Sequence, residues 1–134
     1  MHAALGEARA ATEHDDVPVG AGELHGGEHT AARHNARELT GDPTAHAEIL
    51  AMRDAAAHIG HWRLIECTLV VTLEPCTMCA GAMVNARLGR LVYGATDPKA
   101  GACETLFQIP ADRRLNHEVE MIGGVMATIL SARL

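Results

Sequence analysis

Two cysteines three positions apart, directly after a proline, are the first residues in this chain with a spacing suited to chemistry. They are Cys76 and Cys79, in LEPCTMCAGA at residues 73–82. Proline is favoured at the first positions of a helix, so Pro75 predicts a helix from there to about Arg87. Residues at i and i+3 share a helix face, so both sulfurs can reach one ion. The positive end of the helix and its free N–H groups favour the thiolate form. Upstream, DPTAHAEIL at residues 42–50 places His46 two positions before Glu48. Asp42-Pro43 has the form of a helix start, predicting a helix from about Thr44 to His58.

Two thiolates and one imidazole suit Zn²⁺, with His46, Cys76 and Cys79 as ligands. Three protein ligands leave a fourth position for water, the mark of a catalytic zinc. Glu48, close by but not needed as a ligand, can then move protons. Two plainer readings compete. A lone C-x-x-C also serves as a redox pair, or as half of a structural zinc site completed by Cys67 or Cys103. A structural site needs no acid/base, and Glu48 argues against it. Cys67 opens an apolar run and reads as core, and Cys103 reads as a loop thiol.

These residues must be held by a fold of 134 residues, enough for a single domain over 1–134. Apolar residues make up 48% and aromatics only 2%, so the core must be built of Ala, Val, Leu, Ile and Met. Residues 3–14 read as an Ala-rich helix, and 20–34 as a weak, polar hairpin turning at Gly26-Gly27. CTLVVTL at 67–73 and RLVYGA at 90–95 read as buried strands, EVEMI at 118–122 as a last strand, and VMATILSARL as a last helix. Strands alternating with helices predict an α/β fold with parallel pairing. No apolar run is long enough for a membrane span. The start has no secretion-signal pattern, so the cysteines are expected in a reducing cytoplasm. The net charge of −6 excludes broad, non-specific nucleic-acid binding. A local basic patch from Arg87, Arg90, Lys99, Arg113 and Arg114 stays compatible with it. Nine histidines are present. His2, His14, His25, His29, His34, His58 and His61 lack mutual metal spacing and read as surface residues. His117 reads as a loop buttress, Trp62 as a packing anchor, and Met52, Met78 and Met83 as core or interface filling.

H-x-E followed by P-C-x-x-C is a known signature of zinc deaminases. The wider sequence resembles the cytidine-deaminase-like superfamily, and within it the TadA family of bacterial tRNA adenosine deaminases. DDVPVGA, DPTAHAEILAMRDAA, WRL, TLVVTLEPCTMCAGAMVNAR, LVYGATDPKAGA and LNHEVE carry the resemblance in order, over roughly residues 3–125. It implies a three-layer α/β/α fold around a five-stranded mixed sheet, usually a homodimer. It also implies zinc-dependent hydrolysis of adenosine to inosine at the tRNA anticodon wobble position. By position, His46, Cys76 and Cys79 would hold zinc and Glu48 would shuttle protons from water to N1 and to the departing amine. Asn35 would hydrogen-bond the flipped nucleoside. Val17, Pro18, Ala47, Leu73 and Glu74 would line the base pocket, and Asp97 with Lys99 would lie near the bound strand. A homodimer would pack through Ala80, Met83 and Val84.

Three features depart from that family. Glu23 falls where a buried β-branched residue is expected. Glu104 places an acid where a phosphate backbone would pass. The last helix would be short, with Arg133 as its one arginine. These touch recognition and stability, not the zinc centre. They leave a deaminase of a free base or nucleoside (guanine, cytosine or a modified purine) as the alternative to tRNA.

Overall fold

Five strands form one mixed sheet in the computed structural model, which describes residues 1–126. They are β1 (Gly20–His25), β2 (Glu28–His34), β3 (Cys67–Leu73), β4 (Arg90–Ala95) and β5 (Glu120–Ile122). Their spatial order is β2-β1-β3-β4-β5. β1 runs antiparallel to β2 and β3, while β3, β4 and β5 run parallel. The helices are α1 (His2–Ala11), α2 (Arg37–Thr40), α3 (Ala47–Ile59) and α4 (Thr77–Asn85). α1 lies directly on β1, where a Cβ at Gly20 would sit 1.8 Å from the Ala4 carbonyl oxygen. α3 and α4 cover the other face, against Ala21, Leu69, Val71, Leu91 and Tyr93. The three-layer α/β/α fold is the one expected.

Small side chains set the packing. Ala47, Ala51 and Ala55 recur every four residues along α3 and are fully buried, so this helix presents a flat stripe to the sheet. Leu64, Leu69, Leu88, Leu91 and Met83 supply the bulk. β3 and β4 match their predicted bounds to the residue. α3 starts later than expected. Asp42 does not cap it, because its Oδ1 instead accepts the Thr44 N–H at 2.8 Å and closes a turn around Pro43. His46 is the N-cap residue of α3. Residues 127–134 of the expected last helix lie outside the described residues. Among the described residues, no helix is long and apolar enough to cross a membrane.

The polar 20–34 segment does form a hairpin. Gly26 and Gly27 both take positive φ, 57° and 90°, as a two-residue turn of this hand requires. Glu23 is fully buried between Ala31 on β2 and Leu69 on β3, beside an irregularity in the ladder. Neither carboxyl oxygen has a partner among the described residues. Burial pushes its pKa up to about 8, so the group is held mostly as the neutral acid at pH 7.

Several expectations about single residues are overturned. His14 and His34 are not free surface residues. Their Nε2 atoms lie 3.0 Å apart, and their Nδ1 atoms bond Asp16 at 2.6 Å and Glu7 at 2.9 Å. The hairpin lays β2 beside α1 and the turn after it, an adjacency that histidine spacing does not encode. Trp62 is 55% exposed, stacked beside His61 and under Arg63, so it anchors no core. Ala80, Met83 and Val84 are buried within the chain itself. Ala80 and Met83 pack into the core with the sheet, because α4 needs its apolar side there, and buried side chains cannot form a dimer surface. His117 does buttress, through Nε2 and the Leu88 carbonyl at 2.6 Å. Of the candidate basic patch, Arg90, Arg113 and Arg114 face Glu120, Glu118 and Asp112. The Arg87 guanidinium donates to the Val84 carbonyl at the end of α4.

Candidate active site

Two helix starts meet at the C-terminal end of β3. β3 leads through Glu74-Pro75 to Cys76, the N-cap residue of α4, and Cys79 follows within its first turn. His46 occupies the same position on α3, with Glu48 in that first turn. The Nδ1 of His46 lies 3.6 Å from Cys76 Sγ and 3.5 Å from Cys79 Sγ. The three donor atoms lie within 4.8 Å of one another and could hold a metal ion. The donor set, one imidazole and two thiols at helix N-termini, fits a tetrahedral ion with one open position.

The protonation pattern agrees with that use. The Cys79 thiol donates to Cys76, and this bond, opposed by burial and aided by His46, lowers the Cys76 pKa to about 3. The same bond, with burial, raises Cys79. His46 is raised, first by its bond to Cys76. One thiolate therefore already stands between two donors, and ligation would displace the remaining protons. Glu48 is 4% exposed, and its Oε1 has no partner among the described residues. Burial, with the charge on Cys76, pushes its pKa up to about 7.

A pocket of about 250 Å³ opens beside these groups, lined in part by Val17, Val19, Asn35, Arg37, Leu73 and Asp97. That volume is at the small end of ligand sites, suited to a single base. Asn35 ends the run after β2, where its Oδ1 accepts the Ala47 N–H at 2.8 Å. Among the described residues, its Nδ2 has no partner. Val17 is 46% exposed at the mouth, and Leu73 ends β3. Asp97 accepts the N–H groups of Lys99 and Ala100 through Oδ1, at 3.0 and 3.2 Å.

Two of the residues expected around the base, Pro18 and Ala47, sit differently, while Glu74 lines the pocket as expected and Lys99 lies outside it beside Asp97. Pro18 is not among the lining residues, and the next residue, Val19, takes that place. Ala47 is wholly buried and contributes its N–H to Asn35 rather than a wall. Lys99 is exposed and outside the lining. Glu74 touches the pocket, but its carboxylate is engaged by the loop after β4. Burial opposes its ionisation, yet the Thr105 hydroxyl and the Glu104, Thr105 and Asp97 amides outweigh it and hold its pKa below the usual range. Cys67 and Cys103 are both buried, and neither joins the ligand group among the described residues. Glu104 is not a bare acid, since the Tyr93 hydroxyl donates to it.

Val19, Arg37 and Ala100 join the lining without having been expected there. Arg37, two residues after Asn35, was the most accessible of these to sequence reasoning. Its guanidinium makes no ion pair among the described residues, and it is near enough to His46 to oppose its protonation.

The comparisons with known proteins agree with this geometry. The profile of the MafB19-like deaminase family matches residues 1–132. The tRNA-specific adenosine deaminase of Bacillus subtilis is 45% identical over 126 residues, 94% of this chain and 78% of that protein. That of Streptococcus pyogenes serotype M18 is 42% identical over 127 residues, 95% of this chain and 80% of that protein. A structure from a study of A-to-I editing by tRNA:A34 deaminases at the wobble position of transfer RNA superposes with a TM-score of 0.95 at 42% identity. It covers 100% of this chain and 97% of its own. Guanine deaminase from Nitrosomonas europaea superposes less well, at 0.76 and 26% identity, covering 96% and 77%. The chain belongs to the family of tRNA-specific adenosine deaminases, among the deaminases related to MafB19.

Proposed function

We infer that this chain hydrolyses adenosine to inosine in tRNA, at the anticodon wobble position. The observation that carries the reaction is Glu48, buried beside a His-Cys-Cys cluster in a base-sized pocket with its Oε1 free of any partner among the described residues. Likeness over nearly the whole chain to tRNA-specific adenosine deaminases supports the substrate. The guanine deaminases are the weaker match, which disfavours the free-base alternative.

The ion is zinc, held by His46, Cys76 and Cys79. When bound, it supplies Lewis acidity and a water of lowered pKa. Glu48 takes a proton from the attacking water and carries it to N1 of the purine, then takes the second proton from the new C6 hydroxyl and passes it to the amine, which leaves C6 as ammonia as the carbonyl forms. A buried carboxyl beside the ligand cluster suits both halves of that transfer. Asn35 Nδ2 donates to the nucleoside, while Val17, Val19 and Leu73 enclose the base. Asp97, with Lys99 outside it, meets the flanking strand. The target base must be unstacked first, which is cheapest in a loop. The chain works in the cytoplasm as a homodimer. With Ala80, Met83 and Val84 unavailable, the interface is the apolar groove between α3 and α4, lined by Ile49, Met52, Ala56, Trp62 and Ala82.

The test is zinc-loaded protein incubated with an anticodon stem-loop carrying adenosine at the wobble position, read by mass spectrometry, with Glu48→Ala and free bases and nucleosides alongside. Inosine in the RNA, absent with Glu48→Ala, is expected. Ammonia only from a free base or nucleoside would refute the tRNA assignment and leave the zinc chemistry standing.

A further inference from the structure

The residue before Pro75 is fastened to a distant loop by an unusual number of bonds. Glu74 Oε2 accepts three successive backbone N–H groups, those of Cys103, Glu104 and Thr105, at 3.0, 2.9 and 3.0 Å. Its Oε1 accepts the Asp97 N–H at 3.1 Å and the Thr105 hydroxyl. The carboxylate is 2% exposed. Gly101 closes over it, and a Cβ there would sit 2.4 Å from the carboxyl carbon. One side chain thus gathers both ends of the segment 97–105. That segment supplies Asp97 and Ala100 to the pocket, and Glu74 is two residues from Cys76. A single carboxylate links the turn carrying a metal ligand to the wall facing the substrate.

We propose that Glu74 is a positioning residue that fixes the 97–105 wall at a set distance from the His46–Cys76–Cys79 cluster. The proposal rests on the deaminase reading above. Hydrogen bonds from ionised groups are about twice as strong as neutral ones, so a carboxylate suits four amides and a hydroxyl. An amide does not: Gln offers one acceptor oxygen and turns an NH₂ toward N–H groups, leaving buried donors unpaired. The backbone bond from Ala102 N–H to the Pro75 carbonyl, at 2.9 Å, holds the middle of the segment without Glu74. Loss of the carboxylate therefore frees the ends, including Asp97, before it unravels the whole loop.

The experiment compares zinc-loaded wild type, Glu74→Gln, Thr105→Val and Thr105→Ser in three measurements. They are zinc content, amide hydrogen exchange, and kcat and KM on the anticodon stem-loop. In Glu74→Gln, exchange at Asp97, Cys103, Glu104 and Thr105 is expected to rise at least about 10-fold while the β3 amides stay protected. Zinc stays at the wild-type content, and kcat/KM falls about 10- to 100-fold, mainly through KM. Thr105→Val shows a smaller loss of the same kind, and Thr105→Ser restores it. Wild-type loop exchange and kinetics in Glu74→Gln would overturn the proposal, as would loss of zinc, which would make Glu74 a support of the metal site. If Glu74→Gln does not fold, the Thr105 pair decides: Val indistinguishable from Ser in exchange and KM overturns it. A wild type without activity on RNA would refute the deaminase reading instead, with loop exchange still reporting on Glu74.

Discussion

The side-chain oxygen of Asn35 caps the first turn of α3 by accepting the Ala47 N–H at 2.8 Å. Because Ala47 lies between His46 and Glu48, the same bond sets the position of a metal ligand and of the proton carrier. The other end of the Asn35 amide is left for the substrate. The two jobs separate by mutation. Asn35→Asp keeps an acceptor for the Ala47 N–H, so α3 should keep its first-turn bond, while deamination drops because the donor is lost. Asn35→Ala should lose both, destabilising by about 1 to 2 kcal/mol. Equal activity in Asp and wild type would rule out a donor role for Nδ2.

Glu48 and the ligands should fail differently. Glu48→Gln is expected to bind zinc normally and lose about 10²- to 10⁴-fold in kcat. Cys79→Ala and His46→Ala should lose the metal itself, and a chelator should inactivate wild type reversibly, with zinc restoring it. Metal content by atomic emission, beside activity, distinguishes the cases.

Arg37 sits at the pocket rim with no ion-pair partner among the described residues. Arg37→Ala should raise KM for the stem-loop and reduce the salt dependence of its binding by about one phosphate contact. Binding measured across a salt series checks this. An unchanged slope would remove Arg37 from the RNA contact.

Glu23 makes stability depend on pH. Its folded pKa is about 8 against an ordinary 4.5. Across that window the folded chain holds a proton that the unfolded chain has released. Stability is therefore full below the lower value and falls as pH rises, by about 1.4 kcal/mol per unit at most, levelling above pH 8. Denaturation at pH 6 and pH 8 should show the fall. Glu23→Gln should flatten it, and Glu23→Ile should add about 2 kcal/mol at pH 8 by removing a buried, unpaired polar group. A slope unchanged in Glu23→Gln would exclude this residue as its source.

Interfacial packing gives a fifth handle on the chain. Trp62→Glu, at the edge of the α3–α4 groove, should shift sedimentation from dimer to monomer. A wild-type monomer at assay concentration would remove the homodimer.

How far the sequence could be read depended on how local each signal was. CTLVVTL and RLVYGA are apolar, β-branched and bounded by polar residues, so β3 and β4 are legible to the residue. His46, Glu48, Cys76 and Cys79 are legible because metal chemistry constrains their spacing. β1 is legible only as one arm of a weak hairpin, since Glu23 and the glycines break its alternation, and its strand state comes from ladders on both sides. The His14–His34 pair is invisible for a similar reason: 20 residues separate its members, and only the hairpin unites them. Glu74 reads as a pocket wall in the sequence. Its true partners lie 23 to 31 residues downstream, in a loop whose course no local pattern encodes.

The closure of Gly101 over Glu74 has an evolutionary consequence. With a Cβ at 101 only 2.4 Å from a pinned carboxyl carbon, neither position can drift alone. A side chain at 101 becomes acceptable only after 74 has shortened or turned away, and that first step already loosens the loop. The two sites form an epistatic pair separated by a fitness valley. Among descendants of this chain they are expected to change together or not at all.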